Sequence, residues 1–226
     1  MKKYHIFNED CLVTMQEHLD SASIDIVLTS PFYATNKKAG KDRTLENTKV
    51  KDGQYAYVRY DKFVDNYTNE EYCEFTVNLF KGFDRILKKN GVILYNINYG
   101  SENTEGMFLA IADVLKNTPF TIADVIGWKK KSSMPNSCSS NRLTRVFEFV
   151  FVFCRREDFM TFGMNKKATS TRATGQVAYE NLPNLIEADN NDGPCELNKA
   201  TYSTDLCRQL LAIYAIKDDT GGVDRV

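Results

Sequence analysis

The chain is poor in the residues that mark several protein classes. It carries two histidines, five prolines, one tryptophan and twelve glycines in 226 residues. With only His5 and His18 as imidazoles, no dedicated metal site is expected. The six cysteines (Cys11, Cys73, Cys138, Cys154, Cys195 and Cys207) contain no C-x-x-C pair, which argues against a disulfide scaffold and against a zinc ribbon. No apolar run approaches the roughly 18 to 20 residues of a membrane span, and the first ten residues lack the apolar stretch of a signal peptide. A soluble, cytoplasmic protein without a membrane partner is expected. Also absent is any Gly-x-Gly, the tight turn by which many folds cradle a nucleotide. What remains, 42% hydrophobic and 26% charged, describes one globular domain over residues 1–226, long enough to bury a core.

The net charge of -1 conceals a segregation. Residues 129–172 hold ten Lys/Arg against three Asp/Glu, and residues 34–62 hold eight against four, so the rest of the chain stands at 11 minus 23, or -12. A single basic run is usually a solvated face. Two separate ones, rich in Ser, Thr, Asn and Tyr that also reach phosphate oxygens, point to a polyanion, and nucleic acid is the obvious one.

The apolar pattern reads as alternating helices and strands. A short strand is expected over residues 3–7, then helical spacing at Leu12, Met15 and Leu19. The run Ile24-Asp25-Ile26-Val27-Leu28 reads as a strand buried on both faces and stopped by Pro31. After the long basic loop 34–62, Thr68-Asn69-Glu70-Glu71 makes a capping box. It opens a helix whose stripe is Tyr72, Phe75, Leu79, Phe80, Phe83, Ile86 and Leu87, with Asn90-Gly91 as its left-handed end. Residues 92–97 form another buried strand, and Phe108, Ile111, Ala112 and Leu115 mark a helix ending before Pro119. Residues 120–128 and 146–154 are aromatic and β-branched runs expected at the far edge of the sheet. Residues 160–198 read as irregular, and a last helix starts at Ser203 or Thr204. The order predicts an α/β layer fold with a mostly parallel sheet.

In open α/β sheets ligands bind beyond the carboxyl ends of the strands, so the residues just past Leu28 matter most. There stand Ser30, Pro31, Phe32 and Tyr33. An isolated tetrapeptide of this kind is more often a turn than a site. Its composition nevertheless suits a planar heterocycle with an amino group, because an exocyclic amine is a poor nucleophile until its lone pair is withdrawn from the ring. If the Ser30 hydroxyl and the Pro31 carbonyl each accept one amino hydrogen, that pair localises and points at an electrophile, so positioning does most of the work. Phe32 or Tyr33 then stacks on the base and steadies the cationic nitrogen by about 0.5–2 kcal/mol. Such a base must first leave the duplex.

With these residues in view, the chain resembles the bacterial and phage DNA amino-methyltransferases of the permuted class, in which the catalytic motif precedes the cofactor loop. The resemblance rests on Asn8-Glu9-Asp10-Cys11, on residues 24–28 leading into Thr29-Ser30-Pro31-Phe32-Tyr33, and on residues 83–94. It continues through residues 145–153 and Lys199-Ala200-Thr201-Tyr202-Ser203-Thr204-Asp205-Leu206. It implies a Rossmann-like methyltransferase fold, S-adenosylmethionine as methyl donor and double-stranded DNA as substrate, and it leaves room for a cognate restriction nuclease. It also implies that Asp10 and Cys11 line the donor's adenine pocket and that Lys199, Ala200, Thr201 and Tyr202 approach its methionine end. Target recognition falls at about residues 155–198, with Arg155, Arg156, Lys166, Lys167, Thr171 and Arg172 as DNA contacts; Lys37, Lys38, Lys129, Lys130 and Arg142 complete the basic set.

Two departures qualify the resemblance. Phe32 stands where the usual motif has a second proline, and Ser30 in place of an acidic residue is similar to the cytosine-specific members. That inclines the reading to the N4 amine of cytosine, with N6 of adenine as the alternative. The chain also stops at residue 226 where family members continue into a strand and an Asp-Pro-Phe-x-Gly-x-Gly loop, so a member lacking its C-terminal cofactor-loop portion is expected. A non-catalytic DNA-binding module is the competing class, and the basic insert disfavours an RNA or protein-glutamine methyltransferase. Plainer roles are expected elsewhere: Trp128 in packing, Phe147, Phe149, Phe151 and Phe153 on one strand face, Cys11 as a buried filler, and Tyr95 and Asn96 satisfying backbone groups.

Overall fold

Residues 92–97 are apolar almost without interruption, so a strand made of them needs cover on both faces. The computed structural model provides it; it describes residues 4–34, 67–100, 103–132, 140, 141, 143–193 and 203–216. The elements run α1 (Cys11–Glu17), β1 (Ile24–Thr29), α2 (Asn69–Ile86), β2 (Leu87–Ile97), α3 (Gly106–Asn117), β3 (Phe120–Lys130), β4 (Phe147–Arg155), β5 (Ala168–Thr171), β6 (Val177–Tyr179), β7 (Leu185–Ala188) and α4 (Thr204–Tyr214). Five strands form one sheet in the order β1-β2-β4-β3-β7, while β5 and β6 form a separate two-stranded ribbon. β1 runs parallel to β2, and β7 parallel to β3. β4 runs antiparallel to both β2 and β3. The expected α/β layering is present, and the sheet is mixed.

Strand alternation divides the core in two. Ile93, Tyr95 and Ile97 of β2 join Phe151 and Phe153 of β4 and the buried faces of α2 and α3. Val92 and Leu94 join Val150, Val152, Trp128 and the α4 residues Leu206, Leu210 and Tyr214 on the opposite face. Phe80, fully buried, meets Phe83, Tyr95, Phe120 and Phe153 edge to face, with centroids 4.8–5.7 Å apart. The capping box of α2 forms as expected: Glu71 N donates to Thr68 Oγ1 at 3.1 Å, and Thr68 N donates to Glu71 Oε2 at 2.8 Å.

Several expectations need correction. β4 is not at the far edge but between β2 and β3, because its phenylalanines and valines are apolar on both faces and both need cover. Phe149, Phe151 and Phe153 do share the α2 face, whereas Phe147 is 42% exposed. Asn90-Gly91 does not end α2, which gives way to extended backbone at Leu87. Instead Asn90, at φ 61°, sits within β2, where the register jumps from Ile24↔Leu87 to Ile26↔Val92. A Cβ on Gly91 would lie 2.6 Å from Leu87 Cγ and 3.0 Å from the Asp25 carbonyl, so the bulge needs a glycine. Residues 4–7 form no strand; Tyr4 and Ile6 are exposed, and Phe7 stacks on His18 at 5.0 Å. Residues 160–198 are not irregular throughout: they contribute β5, β6 and the edge strand β7, too short to show a period. Among the described residues, no helix is long and apolar enough to cross a membrane.

Cys154, fully buried on β4, is held as the thiol: burial first, and then the Asp158 carboxylate, push its pKa up from 9.0 to about 11. A folded-state pKa above the unfolded one contributes stability that is complete below pH 9 and is lost as the pH rises towards 11. The urea midpoint should therefore fall across that window, and less steeply in Cys154→Ala. A constant difference between the two proteins from pH 8 to pH 11 would contradict the assignment.

Candidate active site

The sheet order brings distant residues to one edge. β1 and β2 are parallel, with Thr29 opposite Tyr95, so Ser30 and Asn96 emerge together at their carboxyl ends. β4, antiparallel, begins at this same edge: Ile97 lies opposite Phe149, and Trp128 opposite Glu148. The turn after β1, the ends of β2 and β3, and the start of β4 thus converge.

Their polar atoms form a connected chain. The Tyr33 hydroxyl lies 3.0 Å from Ser30 Oγ, 2.9 Å from Glu148 Oε2 and 3.2 Å from Asn96 Oδ1. Asn96 is oriented by its own Nδ2, which donates to the Phe149 carbonyl at 3.0 Å. Glu148, 9% exposed, has its other oxygen on the Lys130 ammonium, which also lies 5.0 Å from the Trp128 ring centroid. The carboxylate is buried but paired and hydrogen-bonded, the condition under which burial of a charge is tolerated.

Phe32 and its neighbours anchor the turn. Its ring stacks on Tyr67 and meets Phe75, both with centroids at 4.8 Å, while its carbonyl accepts from the Tyr72 hydroxyl at 2.9 Å. Ala34, fully buried, adopts φ 41°, which costs a non-glycine residue on the order of 1–3 kcal/mol and is found at sites whose surroundings enforce it. Asn103 helps to hold it, donating to the Ala34 carbonyl at 3.3 Å and to Asn69 Oδ1 at 2.9 Å, while accepting from Gly106 N. Tyr95, fully buried beneath this edge, has its phenol raised well above its ordinary pKa by burial, so it stays neutral.

The structure distributes the sequence-derived residues unevenly. Ser30, Pro31, Phe32 and Tyr33 are half-buried in one turn; Tyr33 enters the polar chain, while Phe32 is committed to an aromatic cluster. Asp10 caps α1, its Oδ1 accepting from Leu12 N at 2.8 Å. Cys11 is exposed, not a buried filler. Trp128 is buried, as expected, and donates to the Ala188 carbonyl at 3.4 Å. Lys37, Lys38, Arg142, Lys199, Ala200, Thr201 and Tyr202 lie outside the described residues.

The basic set divides sharply. Arg155 is not a free cation: it donates to Asp84 Oδ1 at 2.7 Å and to the carbonyls of Asp84, Leu87 and Lys88, bracing the junction of α2 and β2. Arg156 donates to the carbonyls of Thr118 and Leu115, satisfying the end of α3. Lys129 pairs with Glu187 at 2.8 Å, and Lys130 with Glu148. In contrast Lys167, Thr171 and Arg172 are exposed on or beside the β5–β6 ribbon, with Lys166 half-buried at its base. Sequence reasoning missed Glu148 and Asn103. The signal for Glu148 was its isolation as the one charge within residues 146–154.

Comparison with known proteins supplies the context. The model of a DNA methylase family covering N6 and N4 enzymes matches residues 24–220. No curated protein sequence matches the chain. Among solved structures, the PvuII DNA methyltransferase, described as cytosine-N4-specific, is 16% identical with a TM-score of 0.61, over 93% of this chain and 70% of that one. The M1.HpyAVI structure is 15% identical with a TM-score of 0.48, over 94% and 76%. The first of these is a likeness of fold.

Arg155→Ala should lower unfolding stability by about 2–3 kcal/mol in urea, because a partly buried carboxylate and three carbonyls lose their donor. Its affinity for DNA should stay within about twofold, the cost of removing a group that makes no phosphate contact. A selective loss of DNA binding with unchanged stability would restore Arg155 to the recognition surface.

Proposed function

This chain belongs to the N6/N4 DNA methylase family, and from that premise we propose that it transfers the methyl group of S-adenosylmethionine to the N4 amine of cytosine in double-stranded DNA. The observation that carries the reading is the Ser30–Tyr33 turn at the carboxyl edge of the sheet, braced by an aromatic cluster on one side and a hydrogen-bonded chain on the other. An extruded base has its amine placed against the Ser30 hydroxyl and the Pro31 carbonyl, two acceptors that localise its lone pair. A serine at this position, with no carboxylate in the turn itself, suits the cytosine amine, whereas the adenine amine is the alternative.

Asp10 and Cys11 are the described residues on the donor side. Both are exposed at the first turn of α1, so a bound donor can reach them, and the Asp10 carboxylate keeps one oxygen on the helix cap. When bound, S-adenosylmethionine supplies an electrophilic methyl group on sulfonium sulfur. The chain's own residues fix the geometry: the Phe32 carbonyl is tied to Tyr72 and the Ala34 carbonyl to Asn103, which together hold the turn after β1. Duplex binding falls to the β5–β6 ribbon. A two-stranded ribbon fits the roughly 12 Å width of the major groove, and here it carries exposed Lys167, Thr171 and Arg172.

Incubation of the full chain with tritiated S-adenosylmethionine and unmethylated DNA, followed by nucleoside digestion and mass spectrometry, should yield N4-methylcytosine. N6-methyladenine would overturn the choice of base, and no incorporation would overturn the catalytic reading. Ser30→Ala should reduce kcat about 100-fold, the scale set by loss of one oriented hydrogen-bonding group.

Paired Lys167→Ala and Arg172→Ala substitutions should weaken DNA binding at low salt and flatten the slope of log affinity against log salt by about 2. An unaltered slope would remove the ribbon from the interface.

A further inference from the structure

We propose that Glu148 sets the direction of the hydrogen-bond chain so that Ser30 can only accept from the substrate amine; the proposal rests on the methyl-transfer reading above. A phenol has one proton. Around the Tyr33 oxygen stand Glu148 Oε2 at 2.9 Å, Asn96 Oδ1 at 3.2 Å and Ser30 Oγ at 3.0 Å. The first two accept only. Glu148 is a carboxylate paired with the Lys130 ammonium, and the Asn96 amide is turned with its oxygen towards Tyr33 because its nitrogen is spent on the Phe149 carbonyl. The phenol proton therefore points at Glu148 and Asn96, and the phenol oxygen offers Ser30 nothing but lone pairs.

The consequence falls on Ser30. Its hydroxyl proton is drawn to Tyr33, which leaves the serine lone pairs to accept an incoming N–H. Without that bias a serine hydroxyl is a free rotor that donates as readily as it accepts, and a donor aimed at the amine nitrogen would occupy the very lone pair that must attack. Glu148 is thus a positioning residue: it acts through Tyr33 on Ser30, and no proton changes owner in the process. The ordinary reading of the Lys130–Glu148 pair as a strut between β3 and β4 does not explain why the second carboxylate oxygen is spent on the Tyr33 phenol.

Polarity and shape are separable by substitution. Glu148→Gln keeps the shape but brings an N–H that can donate to the phenol, freeing the Tyr33 proton to turn towards Ser30. Glu148→Asp shortens the side chain but keeps an acceptor. Measured with tritiated S-adenosylmethionine on unmethylated DNA, Glu148→Gln should lower kcat about tenfold or more with KM for DNA within about threefold. Glu148→Asp should retain more activity than Glu148→Gln. In a Tyr33→Phe background, where the link is already cut, Glu148→Gln should change kcat by less than about twofold. An equal effect of Glu148→Gln with and without the Tyr33 hydroxyl, or a glutamine variant as active as the aspartate one, would overturn the proposal. If the unaltered chain transfers no methyl group, the methyltransferase reading fails on its own. The chain of bonds is then tested by unfolding in urea: Glu148→Gln should raise the unfolding constant at least about threefold more with Tyr33 present than in Tyr33→Phe, the loss of the Lys130 pairing being common to both. Equal losses in the two backgrounds would again overturn it.

Discussion

The seating of β4 between β2 and β3 is the constraint from which the rest of this structure follows. Its residues are apolar on both faces, with Phe149, Phe151 and Phe153 against α2 and Val150 and Val152 against α4, so it is stable only as an interior strand. Because it runs antiparallel to both neighbours, it brings an amino end to the edge where β1, β2 and β3 present carboxyl ends. A parallel strand in that place would have carried its first residues to the opposite side of the sheet. Glu148 is one residue into β4, and only this direction sets it opposite Trp128 and within reach of Tyr33 and Lys130.

The apolar and polar parts of the site depend on each other. Phe80 at the centre of the α2 face makes four edge-to-face contacts, each worth about 0.5–1.5 kcal/mol beyond area burial, and one of its partners, Tyr95, directly precedes Asn96 on β2. This packing fixes the sheet edge firmly enough for hydrogen bonds of 2.9–3.2 Å to be maintained around one phenol. The buried Glu148 carboxylate in turn requires those bonds, since a charge without partners in such a place costs several kcal/mol. Neither the left-handed Ala34 nor the buried carboxylate is a local optimum. Both persist because the surrounding bonds, from Asn103 in one case and from Lys130 and Tyr33 in the other, outweigh the strain.

Local signals in the sequence are readable where one interaction decides the structure. The capping box at Thr68 and Glu71, the helical stripe of α2 and the buried strand at the centre of β2 are of this kind, and so is the turn at Ser30 and Pro31 placed at a strand end. Nothing local distinguishes a far-edge strand from an interior one for residues 146–154, because that depends on which surfaces the helices leave open. The bulge at Asn90-Gly91 resembles a helix end in every short-range respect. It became a strand irregularity because Leu87 found a partner in Ile24 and Asn90 N a partner in Asp158. Glu148 was visible as a solitary charge in an apolar run, but its partners lie 18 and 115 residues away, distances that no periodicity spans.

Charge shows the same limit in quantitative form. Ten cations in residues 129–172 promise a broad basic surface when summed along the chain. In three dimensions Lys129, Lys130 and Lys131 are paired with carboxylates, Arg155 and Arg156 are spent on Asp84 and on backbone carbonyls, and Arg145 lies over the Tyr99 ring. Among the described residues of this segment, the cations left without a carboxylate or an element to brace are Lys166, Lys167 and Arg172, all beside or on the β5–β6 ribbon. Three phosphate contacts would supply a salt slope of only about -2.7. On the proposed function, these three cations alone would hold DNA weakly and non-specifically at physiological salt, so tight binding would draw on cations outside this ribbon and on base contacts. On the same proposal, discrimination among sequences and commitment to methyl transfer would be functions of one encounter, the ribbon reading the groove and the turn at Ser30 to Tyr33 receiving the extruded base.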